Sequence, residues 1–98
     1  MFIRIVKMTF DSSKTELFIA NFNQHKNEIR NFDGCHLLEL YRDKDNTSIF
    51  FTYSYWESEN HLETYRNSEL FKKVWSITKE MFTSKAEAWS VDTIERLD

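Results

Sequence analysis

The stretch IFFTYSYW, residues 49–56, carries large apolar or aromatic side chains on both faces of a predicted β-strand. Side chains along a strand point alternately to its two faces. One face therefore holds Ile49, Phe51, Tyr53 and Tyr55, and the other holds Phe50, Thr52, Ser54 and Trp56. A strand of this kind is typical of a sheet that is covered on both sides, so we expect packed elements over each face.

The segments before this strand predict a strand and a helix. Residues 2–10 begin with β-favouring residues and alternate weakly, which predicts a first strand. Ser13 and Glu16 have the spacing of a capping box, in which each side chain satisfies a free backbone N–H at a helix start. The helix is expected to run to about Asn31. Its apolar stripe faces the sheet and has these members: Phe18, Phe22, His25, Ile29 and Phe32.

A hairpin is predicted between the first helix and the central strand. Gly34 is the only glycine and tolerates the positive φ with which many helices end, so we expect it to act as a C-terminal cap. Residues 35–42 alternate again and predict a second strand. The polar segment 43–47 is rich in turn-forming residues. These features predict that residues 35–42 and 49–56 pair as a hairpin.

Two short helices and a last strand are predicted after residue 56. Ser58 and Ser68 can each cap a helix, and we expect the two helices to abut with a bend. Their inward residues are Leu62 and Tyr65 in the first and Phe71, Val74, Trp75, Thr78 and Phe82 in the second. Residues 86–94 predict a fourth strand. The order β-α-β-β-α-β predicts one α+β domain, residues 1–98, with a ferredoxin-like antiparallel sheet.

The predicted topology leaves one face of the sheet without helices. Both helical layers lie on the same side, because each crossover connection is right-handed. The other face would expose an apolar patch larger than monomers usually carry, formed by Ile49, Phe51, Tyr53 and Tyr55. A second copy related by a two-fold axis would cover it, so we expect a homodimer. The alternative is a monomer whose aromatic face binds a flat ligand.

Composition limits the classes of partner. The 98 residues include 13 Lys and Arg and 16 Asp and Glu, with a net charge of −3, so no basic face is expected for nucleic acid. The apolar stretch at residues 2–6 is too short for a signal peptide or a membrane span. We therefore expect no membrane partner and a cytoplasmic location. Cys35 is the only cysteine, and the three histidines are widely spaced, so no metal site is predicted.

Several residues spread along nearly the whole chain follow one pattern: Gly34-Cys35, Glu39 to Asp43, Trp56-Glu57-Ser58, Leu62, Ser68 and Phe71. In this pattern the chain resembles the antibiotic biosynthesis monooxygenase domain family. The resemblance implies a dimeric α/β barrel with a pocket between the sheet and the helices of each protomer. Family members include cofactor-independent monooxygenases that oxidise quinol-like or polyketide aromatics, haem-degrading enzymes, and proteins with no settled activity.

The resemblance speaks against haem degradation and implies no cofactor. The haem-degrading members place an axial histidine in the helix after the Ser and Phe, where this chain has Trp75, which cannot ligate iron. The haem-degrading members also have an asparagine in strand one, and this chain lacks it, because residues 4–7 in that region are Arg-Ile-Val-Lys. Many members of the family have a histidine at the position where this chain has Tyr65. The resemblance therefore implies a role for the position and not for a tyrosine as such.

The candidate site residues follow from the chemistry of an oxygenase that has no cofactor. Such a pocket must deprotonate its substrate and stabilise the anion that reacts with O₂. His25, the polar member of the first helix stripe, and Tyr65 are the predicted bases. Trp56 is expected to orient a substrate oxygen through its indole N–H. Arg4 is expected to hold an anion, and Trp75 to contact the substrate.

Each candidate also has a purely structural interpretation. These are a hydrogen-bonded core residue for His25, helix packing for Tyr65, a plug of the barrel end for Trp56, an ion pair with Glu39 for Arg4, and core filling for Trp75. The charged residues of the later helices are interpreted as solvated faces: Glu57, Glu59, Glu63, Glu69, Arg66, Lys72 and Lys73.

The sequence therefore predicts a monooxygenase that oxidises a small phenolic or quinol-like aromatic with O₂. The alternative is a dimeric protein of the same fold that binds a small aromatic or hydrophobic ligand without catalysis.

Overall fold

The computed structural model describes residues 1–98, with a four-stranded antiparallel sheet and three α-helices. The elements are, in chain order, β1 (Phe2–Thr9), α1 (Thr15–Arg30), β2 (Cys35–Arg42), β3 (Ile49–Trp56), α2 (Glu59–Arg66), α3 (Glu69–Lys79) and β4 (Glu87–Val91). The strand order in the sheet is β2-β3-β1-β4, and each neighbouring pair is antiparallel. The predicted α+β, ferredoxin-like fold is confirmed. None of the three helices combines the length and the apolar character needed to cross a bilayer.

The start of α1 differs from the prediction. A 3₁₀ turn, Ser12–Lys14, precedes the helix, and Asp11 caps this turn. The Oδ1 atom of Asp11 accepts hydrogen bonds from the backbone N (2.9 Å) and the Oγ (2.8 Å) of Ser13. Ser13 is thus a donor to the cap, and the predicted capping box with Glu16 is wrong. A carboxylate is the stronger acceptor because it is charged, so Asp11 takes the place expected for the serine.

The two later helices begin at the predicted serines. The Oγ of Ser58 accepts a hydrogen bond from the backbone N of His61 at 3.2 Å, and the Oγ of Ser68 accepts one from Phe71 at 3.1 Å. Caps of this kind typically stabilise a helix by about 1 kcal/mol. The helix α2 is therefore a separate eight-residue element with a defined beginning and end.

Two further boundaries differ from the prediction. Gly34 has the expected positive φ, +90°, but α1 already ends at Arg30 with Asn31 as its C-cap, so the predicted helix cap is wrong and Gly34 lies in the turn that leads into β2. The strand β4 is shorter than the predicted range 86–94, because it lies at the edge of the sheet and pairs with β1 alone. The last pair in this ladder joins Val91 to Ile3, one residue from the start of β1. Little of the partner strand remains beyond that pair.

Two buried clusters lie between the sheet and the helices. The larger contains Met8, Phe10, Phe18, Phe50 and Met81. The smaller contains Cys35, Trp56 and Leu62. The helix-facing side of β3 contributes Phe50 to the first cluster and Trp56 to the second. The two clusters thus lie at opposite ends of β3, and the middle of that strand, Thr52 and Ser54, faces the space between them.

The opposite side of the sheet carries no helix. The register places an aromatic row there, with ring centroids 5.9 Å apart for Tyr41 and Tyr53 and 5.7 Å apart for Tyr53 and Tyr55. Trp89 lies on the same side and is 45% exposed. A single chain leaves this open face uncovered, and the homodimer stays a prediction.

Candidate functional site

A cavity of about 280 Å³ lies between the helices and the middle of the sheet, and 14 of its 19 lining residues are hydrophobic. An apolar cavity of about 150 Å³ is large enough for benzene, so this one suits a ligand of one or two rings. The lining residues are Arg4, Val6, Met8, Leu38, Thr52, Ser54, Trp56, Ala86 and Ala88 on the sheet side, and Phe18, Phe22, Ile29, Leu62, Tyr65, Arg66, Phe71, Val74, Trp75 and Thr78 on the helices.

Tyr65 lines the cavity from α2, as predicted. Its ring packs against three aromatic rings, with centroid distances of 5.0 Å to Trp56, 5.2 Å to Phe32 and 5.2 Å to Phe71. Burial, with a smaller contribution from the Cys35 thiol, raises the pKa of Tyr65 well above its usual value. The phenol is therefore protonated at neutral pH, which favours a role as hydrogen-bond donor and argues against the predicted role as base.

The hydroxyl of Tyr65 is available to a ligand. It makes no hydrogen bond within the chain, and burial and charge alone account for its raised pKa. No fully buried polar side-chain atom of the structure lacks a partner, so this hydroxyl must be accessible. Because Tyr65 lines the cavity, its hydroxyl is a candidate donor to a ligand bound there.

Trp56 forms a wall of the cavity but does not offer its N–H to a substrate. The residue is 1% exposed, and its Nε1 donates a hydrogen bond to the Oγ of Ser54 at 3.0 Å. The hydroxyl of Ser54 in turn donates to the backbone O of Arg4 at 3.5 Å. The predicted hydrogen bond from this indole to a substrate oxygen is therefore wrong, since a neighbour on the same strand face already accepts it.

Trp75 lines the cavity from α3, as predicted. Its ring is nearly parallel to that of Phe71, at 5.7 Å and 12°, and meets the edge of Phe82 at 5.5 Å. Its indole N–H has no partner in the chain, and since no fully buried polar atom is unpaired, this N–H is accessible. Trp75 is thus a candidate for the indole donor that was expected of Trp56.

Arg4 enters the cavity from β1, the predicted position for a residue that holds an anion. Its Nη1 donates a hydrogen bond to the Oγ of Ser90, its register partner on β4, at 2.9 Å. The alternative ion pair with Glu39 is absent, because Glu39 lies on the open face of the sheet and accepts a hydrogen bond from the hydroxyl of Tyr41 at 2.7 Å.

A second guanidinium, that of Arg66, lines the same cavity. Burial is the main reason for a lowered pKa of Arg4, and the positive charge of Arg66 lowers it further, while Glu63 acts in the opposite direction. The sequence predicts Arg66 on a solvated face, and its side chain is indeed 47% exposed. Its spacing of four residues from Leu62, which also lines the cavity, is the signal that could have identified it.

His25 is not among the lining residues. It is 3% exposed, and its Nδ1 lies 3.3 Å from the Oε1 of Glu28, one turn further along α1. This is the structural interpretation of His25 as a hydrogen-bonded core residue. His36 and His61 also lie outside the lining. The cavity thus has no histidine, and its ionisable side chains are Arg4, Tyr65 and Arg66.

Comparisons with known proteins point to one family. A family model described as antibiotic biosynthesis monooxygenase matches residues 1–75. No curated protein matches the sequence. Among solved structures, a conserved protein from Methanosarcina mazei Go1 has a TM-score of 0.87 and 22% identity, over 94% of this chain and 92% of that one.

Two further structures agree with this result. An antibiotic biosynthesis monooxygenase has a TM-score of 0.91 and 13% identity, over 97% of this chain and 100% of that one. A protein from Mycobacterium tuberculosis has a TM-score of 0.88 and 15% identity, over 99% and 98% of the two chains. At these identities the similarity establishes the fold alone.

Proposed function

Because the chain belongs to the antibiotic biosynthesis monooxygenase family, we propose that it oxidises a small phenolic or quinol-like aromatic with O₂, without a cofactor. The observation that carries this proposal is the composition of the cavity. It combines aromatic walls with two guanidinium groups, a free tyrosine hydroxyl and a free indole N–H. This set of groups can bind an aromatic ring and stabilise an oxygen anion attached to it.

The proposed reaction takes its electrons from the substrate. A phenolate is electron-rich enough to donate to O₂, whereas the neutral phenol reacts slowly. In the oxidation of a phenol to a quinone, one oxygen atom of O₂ enters the ring carbon and the other leaves as water. The four electrons that reduce O₂ all come from the aromatic substrate. The protein therefore needs only to bind the ring, favour the anion and admit O₂.

The lining residues have distinct roles in this proposal. The positive charge of Arg4 favours the phenolate over the phenol. Tyr65 and Trp75 donate hydrogen bonds to the oxygen atoms on which negative charge develops. No carboxylate or histidine lines the cavity, so the proton of the substrate passes to water. Arg66 lines the cavity and is 47% exposed, which marks a place where water reaches it.

The lining does not fit a haem of the kind that the degrading members of the family bind. Trp75 occupies the position at which the resemblance places their axial histidine, and it lines the cavity. The indole nitrogen has no free lone pair for iron. The lack of a histidine or carboxylate base does favour a second candidate, namely a protein of the same fold that binds a small aromatic molecule without turnover.

We propose, in addition, that the protein is a homodimer that pairs through the open face of the sheet. Tyr41, Trp89 and Val91 on this face are 44%, 45% and 38% exposed in the single chain. The ring of Tyr41 neighbours that of Tyr53, and isoleucines of β1 lie between the two β4 residues and the tyrosines of β3. An apolar and aromatic surface of this kind is uncommon on a monomer. A two-fold axis through the sheet would cover it with an identical surface.

Incubation of the protein with a panel of naphthols under ¹⁸O₂ tests the proposed reaction. We expect one labelled oxygen atom per quinone formed and no turnover without O₂. A protein-free sample measures autoxidation, and Lys73→Gln, which removes a positive charge from the exposed side of α3, is the control variant. Equal loss of substrate in the presence and absence of O₂ would exclude a monooxygenase.

A further inference from the structure

The residues that line the cavity carry two positive charges and no negative charge. Arg4 and Arg66 both line it, and no Asp or Glu does. The nearest carboxylate identified is that of Glu63, whose Oε2 lies 3.6 Å from the Nη1 of Arg66 and whose side chain is 64% exposed. Glu63 is thus a surface partner of one guanidinium. The other, Arg4, has a serine hydroxyl as its side-chain partner.

Two like charges at a partly buried site are costly unless an opposite charge joins them. The lowered pKa of Arg4, caused first by burial and then by the charge of Arg66, reflects this cost. An anion that contacts the two guanidiniums would offset both effects, because its charge favours the protonated guanidinium. Clusters of perturbed charges in a cavity are more frequent at binding sites than elsewhere, and here the missing charge is negative.

The free donors of Arg4 indicate the shape of that anion. A guanidinium has five N–H donors in a planar fork, and one of those of Arg4 is bound to Ser90. The fork matches the two oxygens of a carboxylate in a bidentate pair. A phenolate has a single oxygen and cannot use the fork in this way. The rest of the cavity is aromatic or aliphatic, and its volume of about 280 Å³ admits one or two rings.

We propose that the ligand of this cavity is an aromatic carboxylate, whose carboxyl group binds Arg4 and Arg66 while its ring lies against Tyr65 and Trp75. For turnover this inference rests on the proposed function, because it then names the substrate as a hydroxylated aromatic acid. A single carboxylate neutralises one of the two positive charges. The second charge is left to favour ionisation of the ring hydroxyl that reacts with O₂.

Binding of 2-naphthoate and of its neutral isostere 2-naphthamide, measured by calorimetry at low ionic strength, tests the inference. We expect naphthoate to bind at least about tenfold more tightly, since a hydrogen bond to a charged group contributes roughly 1.5–3 kcal/mol. Arg4→Gln and Arg66→Gln should each weaken naphthoate binding about tenfold and leave naphthamide binding within about twofold. Lys73→Gln, which changes the net charge equally on an exposed surface, should leave both unchanged.

Two outcomes would overturn the carboxylate site. One is equal affinity of the wild-type protein for naphthoate and naphthamide. The other is a parallel loss of both ligands in arginine variants that unfold at the wild-type temperature, which would show that the arginines do not recognise the carboxylate. Thermal unfolding of each variant checks its fold, and Arg4→Lys separates charge from shape. Because Lys keeps the charge but lacks the fork, we expect it to restore only part of the preference for naphthoate.

Two ligand classes separate this inference from the proposed function. If naphthoate binds with the expected preference but hydroxynaphthoates consume no O₂, the oxygenase proposal fails and the carboxylate site stands. If naphthoate and naphthamide bind with equal affinity while naphthols are oxidised in a reaction that requires O₂, the carboxylate site fails and the oxygenase proposal stands.

Discussion

The indole N–H of Trp56 donates a hydrogen bond to the hydroxyl of Ser54, 3.0 Å away on the same face of β3. Ser54 then donates to the backbone carbonyl of Arg4 on the neighbouring strand, at 3.5 Å. These two bonds connect the aromatic wall of the cavity with the strand that carries the half-buried Arg4. The position of the Trp56 ring therefore depends on a serine that the family pattern does not include.

Substitution Ser54→Ala should lower the free energy of unfolding by about 1–3 kcal/mol, because it leaves the buried N–H of Trp56 without an acceptor. Urea unfolding measures this loss. Ser76→Ala is the matched control, since the Oγ of Ser76 is exposed and donates to the carbonyl of Lys73; we expect a change within about 0.5 kcal/mol. Equal effects of the two substitutions would mean that the bond to Trp56 contributes nothing.

Substitution Tyr65→Phe should reduce the slope with which the free energy of unfolding falls as pH rises above about 10. Burial raises the pKa of Tyr65 in the folded protein, so the unfolded chain loses this proton first. The contribution of Tyr65 to stability is present below its unfolded pKa of about 10 and declines as pH rises above that value. A difference of one bound proton between the folded and unfolded states changes the free energy of unfolding by at most about 1.4 kcal/mol per pH unit.

Urea unfolding of the wild-type and Tyr65→Phe proteins between pH 7 and pH 11 measures this difference. At pH 7 the two should agree within about 0.5 kcal/mol, because the hydroxyl has no partner in the chain. The variant should still lose some stability at alkaline pH, because other tyrosines also have raised pKa values. One of these is Tyr41, whose hydrogen bond to Glu39 raises its pKa to about 12. An unchanged slope in Tyr65→Phe would contradict the burial of this phenol.

Substitution His25→Asn should reduce stability without affecting ligand binding. The imidazole is 3% exposed and does not line the cavity, so its loss removes packing and the contact with Glu28. We expect a fall of about 1–3 kcal/mol in the free energy of unfolding and naphthoate affinity within about twofold of wild type. A loss of turnover on the order of a hundredfold in a folded His25→Asn variant would restore His25 as the base.

Substitution Tyr53→Glu should convert the proposed dimer to a monomer. Tyr53 is central in the aromatic row of the open face, and a carboxylate there would be buried without a partner. Sedimentation of the wild-type protein should give twice the chain mass of 11.9 kDa. Lys73→Glu, on the other side of the molecule, should keep the dimer. A wild-type mass near that of one chain at micromolar concentration would refute the dimer.

The elements that were predicted well are those with local signals. The alternation of residues 35–42 and 49–56 set the bounds of β2 and β3, and Ser58 and Ser68 marked two helix starts. The end of β4 could not be found in this way, because it depends on where β1 offers pairing partners. The cap of the first turn was missed because Ser13 matched the capping pattern while Asp11 supplied the charged acceptor.

The cavity was harder to predict than the fold. The apolar stripe of α1 is longer than the part of it that faces the cavity, so His25 shared the pattern of Phe22 and Ile29 without sharing their position. Arg66 is partly exposed and partly a lining residue, which no hydropathy pattern distinguishes from a solvated arginine. The partner of an indole N–H likewise depends on cross-strand geometry, as Trp56 and Trp75 illustrate.

The two cations of the cavity are carried by elements of different kinds. Arg4 lies on β1, which is held between two neighbouring strands, whereas Arg66 ends an eight-residue helix that begins at its own serine cap. Sequence changes in that helix can alter the cavity without disturbing the hydrogen bonds of the sheet. Substitutions in α2 therefore offer a route to a different ligand preference in which Arg4, and the sheet that positions it, stay as they are.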